Sequence, residues 1–485
     1  MPLKASHPTH SHEGPDEIIC WMLVGGGVMN NLDESSLNLS LDDIMKIIQE
    51  KDIEFVRFEF GDLHGIARSK IIPSRHFRDK SRKGINIPIA HLGMDCRGRP
   101  VDEAKYIIQG DYCDAVWTPD LSTFRVLPWC DNTARVILEP TLKGRPVDLF
   151  PRTLARKQVD RLSKMGLSLL TAHEHEFYIV DRQSGQPLTQ DFNLRATVRN
   201  YTDPLLIRSL LQALPAVGVD AEMMDTEKSP GQVEITYKPA FGIQAADNAY
   251  TYKTTIKEVA MQRGYVASFM SKPWAELNGS SAHVCHSLWD ITQQRPLLYA
   301  EDQPFGLSKI ACHWIAGLLA HAPALSILMA PTVNCLKRFE ANSFAPYNAT
   351  WGLDNRTCAL RVKVGGGADT YIENRMGASG SNPYLTIAAT IAAGIDGIQR
   401  KLIPPQPIEN NAYLPGNVPA DTAILPATMN EALEAFSHDD VIRSALGDEF
   451  MKEFCLLKMH EMKEYTEAKL KQDSKWEYKM YFEYI

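Results

Sequence analysis

The sequence predicts an α+β protein of two domains, and three observations lead there. The chain has 485 residues, well above the roughly 250–300 at which a single core stops growing. From Ser40 onward a helix is followed by a tight hairpin, which reads as a small α+β unit of its own. Beyond Pro151, strand-like runs alternate with helical ones up to a helical C-terminal region. These place one domain at residues 39–145 and a larger one at 146–485, after a flexible arm at 1–38.

The elements follow in order. Residues 1–38 hold a His-rich stretch, Ser6–His12, and their Asn/Ser-rich end gives no periodicity, hence the arm. Ser40 and Asp43 have capping-box spacing and open an amphipathic helix carrying Ile44, Ile47 and Ile48. Phe55–Phe60 alternates as a strand, Gly61–Gly65 turns, and a second strand ends at Pro73. The unit continues through Leu127–Leu138. Pro151–Gly166 is a helix with proline at its start and glycine past its end; Ala155, Val159 and Leu162 repeat along it. Ile310–Leu336 carries no Asp, Glu, Lys or Arg but is interrupted by His313, His321, Pro323, Pro331 and Asn334. It reads as a buried helix followed by a strand. Pro404–Pro426 holds six prolines and reads as a long ordered loop, after which Thr428 and Glu431 open the C-terminal helices.

Composition excludes several classes. With 44% hydrophobic and 23% charged residues the chain is neither wholly disordered nor fibrous. Fifty-one basic against 59 acidic residues, a net charge of -8 without a Lys/Arg block, leave no electrostatic footprint for nucleic acid. Nine scattered cysteines, an odd number without C-x-x-C, argue against a disulfide framework or structural zinc and for a reducing compartment. Ile18–Met29 is too short to span a membrane and follows Asp16 and Glu17 where a signal peptide would be basic. A cytoplasmic protein is expected.

Four stretches could carry chemistry. Leu167–Val180 has apolar, β-prone flanks around His173-Glu174-His175-Glu176, and the histidine spacing excludes the H-E-x-x-H zinc motif. On a strand Glu174 and Glu176 share a face, about 7 Å apart. Two such carboxylates in an apolar sheet call for a cation, unless the strand is an exposed edge. Glu227 and Glu234 flank a Pro230-Gly231 turn, with Glu234 opposite the apolar Val233, Ile235 and Tyr237; a solvated hairpin face is the plain alternative. His283 follows the Asn278-Gly279 turn on a strand, where a satisfied core histidine is the commoner outcome. Glu373 and Arg375 share a face and could equally be a surface ion pair. Together they offer five glutamates and one histidine, a donor set suited to magnesium or manganese. Arg338, Arg356, Arg361 and Arg375 form a cationic set suited to polyphosphate.

At this point the chain resembles the type I glutamine synthetases over nearly all of its length after residue 40. The matching motifs are E-x-E (Glu174/Glu176), E-x-x-P-G-Q-x-E (Glu227/Glu234) and N-G-S-x-x-H (Asn278/His283). They continue with K-R (Lys337/Arg338), N-R-x-x-x-x-R (Asn355/Arg356/Arg361), and E-x-R before N-P-Y-L (Glu373/Arg375, Asn382–Leu385). The resemblance implies a β-grasp N-terminal domain and a catalytic domain with a curved antiparallel sheet flanked by helices. It implies Glu176, Glu227 and Glu234 as ligands of one Mg2+ or Mn2+, and Glu174, His283 and Glu373 as ligands of a second. It implies ATP as cosubstrate, with Arg356, Arg361 and Arg375 on phosphates, and Arg338 with Asn278 and Gly279 on the amino-acid substrate. Asp62 matches an ammonium-site aspartate that reaches into a neighbouring subunit of a dodecamer built from two hexameric rings.

The sequence also departs from that pattern. Phe344 stands where ammonia-using members have a glutamate, Asp225-Thr226 replaces His-His, and Cys285 replaces a histidine. Leu121–Trp129, His286–Asp290 and Ser381–Gly397 look most like the lengsin group of the family. Members of that group are regarded as catalytically silent and as structural or chaperone-like partners of intermediate filaments, yet this sequence keeps the metal ligands they have largely lost. Two functions are therefore expected to compete: ligation of glutamate to ammonia or another amine, and a silent scaffold.

Overall fold

The computed structural model describes residues 39–108, 113–191, 193–200, 202–340, 343–414 and 416–485; the expected arm at 1–38 lies outside them. The Ser40–Asp43 capping box starts a helix at Leu41–Glu50, which buries Ile44 and Ile48. Strand β1 (Phe55–Gly61) buries Val56, Phe58 and Phe60 and pairs with β2 (Ala67–Pro73) as the expected hairpin. With β3 (Ile85–Pro88), β4 (Asp114–Val126), β5 (Thr133–Leu142) and the short β6 (Arg145–Pro146), they form a sheet of order β2-β1-β5-β4-β3, β6 pairing with β5. The β1–β5 pair is parallel and the others antiparallel. Phe60, Trp117 and Phe150 pack ring on ring beneath this sheet.

The helix Pro151–Lys164 starts at proline, and Gly166 beyond its end takes φ +78°, a left-handed value glycine tolerates without cost. It leads into β7 (Leu167–Asp181), the centre of the second sheet. Strands β8 (Ala221–Thr226), β9 (Gln232–Tyr237), β10 (Ala240–Phe241), β11 (Tyr265–Ser268), β12 (Ala282–Asp290), β13 (Trp351–Leu353), β14 (Leu360–Lys363) and β15 (Tyr371–Asn374) complete it. Its order is β13-β14-β15-β12-β7-β9-β8, with β10 and β11 also on β7. The expected antiparallel sheet is present, with one parallel pair, β13–β14, at its edge. One face is covered by the helices Ile243–Gln262 and Pro383–Arg400, the latter buried from Pro383 to Gly397.

The expected strand at the end of Ile310–Leu336 is a correction. The segment forms two helices, Lys309–Ala320 and Ala322–Met329, bent by 74°, and then a 3-10 turn at Cys335–Arg338. Side chains take the bonds a strand would have used. Thr332 Oγ1 accepts from Cys335 N at 3.0 Å, and Asn334 brackets the backbone N–H and carbonyl of Lys272 at 2.8 and 2.9 Å. Among the described residues no single helix is long and apolar enough to cross a membrane. The proline-rich segment 404–426 holds no helix among its described residues, but is tied to the sheet through Trp351 Nε1 on Pro405 O and Asn355 Nδ2 on Ile408 O. The Thr428–Glu431 capping box opens the first of the last long helices, at Met429–His438.

Candidate active site

Strand register assembles the site. β7 runs antiparallel to β12 with Glu174 opposite His283, and antiparallel to β9 with Glu176 opposite Glu234. On the far side of β12, β15 sets Glu373 opposite Cys285, and β14 sets Arg361 opposite Glu373. The period-two alternation of β7 sends its glutamates to one face. Its histidines go to the other, where His173 and His175 are buried, His175 stacking on Tyr252 and His173 meeting Thr386 at 2.8 Å.

The glutamate face lines a cavity of about 460 Å³. Two triads stand in it: Glu176, Glu227 and Glu234, and Glu174, His283 and Glu373. Within each, one candidate ligand atom per residue lies within 4.8 Å of the others, so each could hold a metal ion. A third cluster, Asp95, His460 and Glu464, lies outside the cavity; Arg99 already bridges Asp95 and Glu464 at 2.6 Å each.

The two triads differ in how their charge is met. Glu373 is paired with Arg361 at 2.7 Å and with Arg375. His283 Nδ1 lies 3.2 Å from Glu373 and 3.6 Å from Glu174. Burial, reinforced by Arg375, pulls the imidazole well below its ordinary range, so the ring is neutral and these contacts are not ion pairs. Among the described residues no arginine lies within ion-pair distance of the first triad, Arg195 and Arg338 acting on it only from farther away. Glu176 accepts from Ser281 N at 2.9 Å and Gln232 Nε2 at 3.3 Å, both neutral donors. Burial and then Glu176 push Glu227 up to about 7. Burial, then Glu176, Glu174 and Glu227, push Glu234 up to about 9. Glu174 is pushed up to about 7 by burial and then Glu373. Such shifts mark carboxylates crowded together without a cation.

The arginines flank these acids. Arg338 is buried, its guanidinium bonded to the carbonyls of Arg375 and Met376 at 3.3–3.4 Å, and burial pulls it down to about 10. Arg356 lines the cavity, exposed and without an ion-pair partner among the described residues. Asn278 donates to Ser229 Oγ, and its carbonyl accepts from Tyr178 Oη at 2.6 Å. Gly279 passes so close to Arg338 that an added Cβ would sit 2.6 Å from the Arg338 Cβ, so only glycine lets the two segments meet. Phe344 also lines the cavity, 41% exposed, with φ +60°, an uncommon backbone state for a bulky residue.

Asp62 lies apart from this cavity. It is buried in its own turn, where its carboxylate accepts from His64 N, Ile66 N and Arg68 Nε at 2.9–3.0 Å. Sequence reasoning passed over two basic residues that the structure brings to the cavity. Lys228 places Nζ 4.0 Å from the Phe344 ring centroid, and Arg195 is paired with Asp225. Lys228 was legible as the neighbour of Glu227; Arg195 comes from a loop without any pattern.

Known proteins share this architecture. The family described as "Glutamine synthetase, catalytic domain" matches residues 148–481. Lengsin from Rattus norvegicus is 36% identical over 444 residues, 89% of this chain and 77% of that protein. A glutamate–isopropylamine ligase from Pseudomonas sp is 31% identical over 434 residues, 87% of this chain and 94% of that one. Among solved structures, a GmaS/ADP complex superposes with a TM-score of 0.78 at 27% identity, covering 89% of this chain and 99% of the other. With a catalytic-domain match over more than half its length and relatives above 30% identity matched over more than three quarters of their own length, the chain belongs to the glutamine synthetase family.

Proposed function

We propose that the protein is an ATP-dependent carboxylate–amine ligase, which phosphorylates the γ-carboxylate of glutamate and passes the acyl group to an amine. The observation that carries this reading is the first triad, three carboxylates in one cavity with no cationic side chain within ion-pair distance of them among the described residues. Magnesium or manganese, two per site, would be held by Glu176, Glu227 and Glu234 and by Glu174, His283 and Glu373, and would supply positive charge to a phosphoryl group in transit. Around them the chain's own groups divide the work. Arg338, oriented by two backbone carbonyls, suits the substrate carboxylate beside Asn278 and Gly279. Arg356 is free to meet ATP phosphates, while Glu373 aims Arg361 and Arg375 at them. Phe344 supplies no base at the amine end, so the nucleophile arrives without the carboxylate that ammonia-using members offer. A relative named for isopropylamine fits such a site.

We further propose cytoplasmic assembly into two stacked hexameric rings. Light scattering is expected to give about 650 kDa, twelve times the 54.3 kDa chain. A second reading, a catalytically silent scaffold acting on intermediate filaments, draws on the likeness to lengsin. Phosphate release from ATP with glutamate, an amine panel, and manganese or magnesium separates the two. Wild type is expected to form a γ-glutamyl product, and Glu176→Ala to lose at least about a thousandfold in rate. Absence of any metal-dependent product or ATP hydrolysis from wild type would leave the scaffold.

A further inference from the structure

We infer that the acceptor amine carries a second, negatively charged group, a carboxylate above all, and that Lys228 recognises it. The inference rests on the ligase reading and goes on to name the acceptor's class.

Lys228 follows Glu227 of the first triad, and Phe344 is anchored to the second, its carbonyl accepting from Arg375 Nη2 at 3.3 Å. The contact between their side chains therefore spans the cavity, with Nζ 4.0 Å from the ring centroid. Among the described residues no carboxylate lies within ion-pair distance of Lys228 Nζ, although the cavity holds five glutamates. An ammonium inside a pocket with only a ring face for company retains unmet capacity for an anion.

The surroundings exclude the opposite charge. A cationic acceptor settling on Phe344 would find the ring face taken and a like charge a few ångströms away, which repels it. Of the acids around the cavity, Asp225 is engaged by Arg195 and Glu373 by Arg361 and Arg375, and in the ligase reading Glu174, Glu176, Glu227 and Glu234 are occupied by the metal ions. Leu194, also at the cavity and 38% exposed, adds an aliphatic surface. A hydrocarbon body against Phe344 and Leu194, with its anionic end on Lys228, satisfies every one of these groups.

The step is ordinary acyl transfer. The neutral amine nitrogen attacks the γ-carbonyl carbon of γ-glutamyl phosphate and the C–N bond forms. The C–O bond to phosphate breaks, phosphate leaves with the electron pair, and the amine proton passes to solvent.

The test compares matched acceptors: n-propylamine against 3-aminopropanoate, and benzylamine against 4-(aminomethyl)benzoate. Hydroxylamine, which traps the acyl phosphate, serves as the small neutral acceptor. Wild type is expected to favour the carboxylated member of each pair by about tenfold in kcat/KM. Lys228→Met should bring the ratio near one, and Lys228→Glu should invert it. Ratios within one variant are insensitive to how much of it folds. Should neither variant be soluble, added salt on wild type replaces them, raising KM for the carboxylated amine only. Hydroxamate formation with equal use of both members would overturn the inference and leave the ligase standing. No hydroxamate and no phosphate release would overturn the ligase reading, and this inference with it.

Discussion

Manganese or magnesium is expected to raise the melting temperature of the metal-free protein, and the rise is expected to grow from pH 5 to pH 9. In the absence of cation, burial and the crowding of the carboxylates push Glu234 up to about 9 and Glu227 and Glu174 up to about 7, from an ordinary value of 4.5. A carboxyl whose folded value lies above its unfolded one holds its proton more tightly in the folded state. Its stabilising contribution is complete below about pH 4.5 and is lost as pH rises through 7 and then 9. The metal-free protein should therefore weaken across that window. Cations must displace the same protons, so their affinity climbs over the same range. At a hundredfold excess over Kd each site adds about 2.7 kcal/mol. Glu234→Gln should flatten the upper part of the pH dependence. Thermal melts from pH 5 to 9, with chelator or with manganese, read all of this; a melting temperature indifferent to cation at every pH would contradict it.

Arg152→Met is expected to cost about 3–5 kcal/mol of folding stability, the penalty of leaving the buried Asp247 carboxylate without its cation. The Arg152 side chain is 1% exposed, and its guanidinium meets Asp120 and Glu139 at 2.7 Å and both oxygens of Asp247 at 2.8 Å. It thus ties β4 and β5 to the helix Ile243–Gln262, while Tyr384 Oη reaches Asp247 from the helix Pro383–Arg400 at 2.8 Å. Arg156 also pairs with Asp120 and Glu139, at 3.0 and 3.1 Å, so Asp247 is the group left stranded. Adding Asp247→Asn to Arg152→Met should return a large part of the loss. Urea unfolding of the wild type, the single variant and the double variant measures this; a double variant no more stable than the single one would sink the account.

What could be read from the sequence was what depends on local period and on turn chemistry. The Ser40 and Thr428 caps, the Phe55–Pro73 hairpin, the Pro151 helix and the strand carrying Glu174 and Glu176 all announce themselves within a few residues. The candidate ligands were legible because each sits beside a turn or inside an alternating run. Ile310–Leu336 misled because apolar character says that a segment is buried without saying how its backbone is bonded. Thr332 and Asn334, short polar side chains that satisfy neighbouring backbone groups, turned its end into a 3-10 turn. The Arg152 cluster was illegible for another reason: its partners Asp120, Glu139 and Asp247 come from three separate elements. The left-handed backbone of Phe344 and its contact with Lys228 are likewise products of tertiary packing.

The alternation along β7 separates two debts that are often owed together. Its histidines are sealed against the helical layer and keep the sheet in place, while its glutamates face the cavity and take no part in that packing. A chain that had only to hold its shape could exchange Glu174 and Glu176 for neutral residues and, by relieving their repulsion, become more stable without cation. Architecture and charge are thus independently adjustable on one strand. The acids burden the metal-free fold at neutral and alkaline pH, and a bound cation lifts that burden.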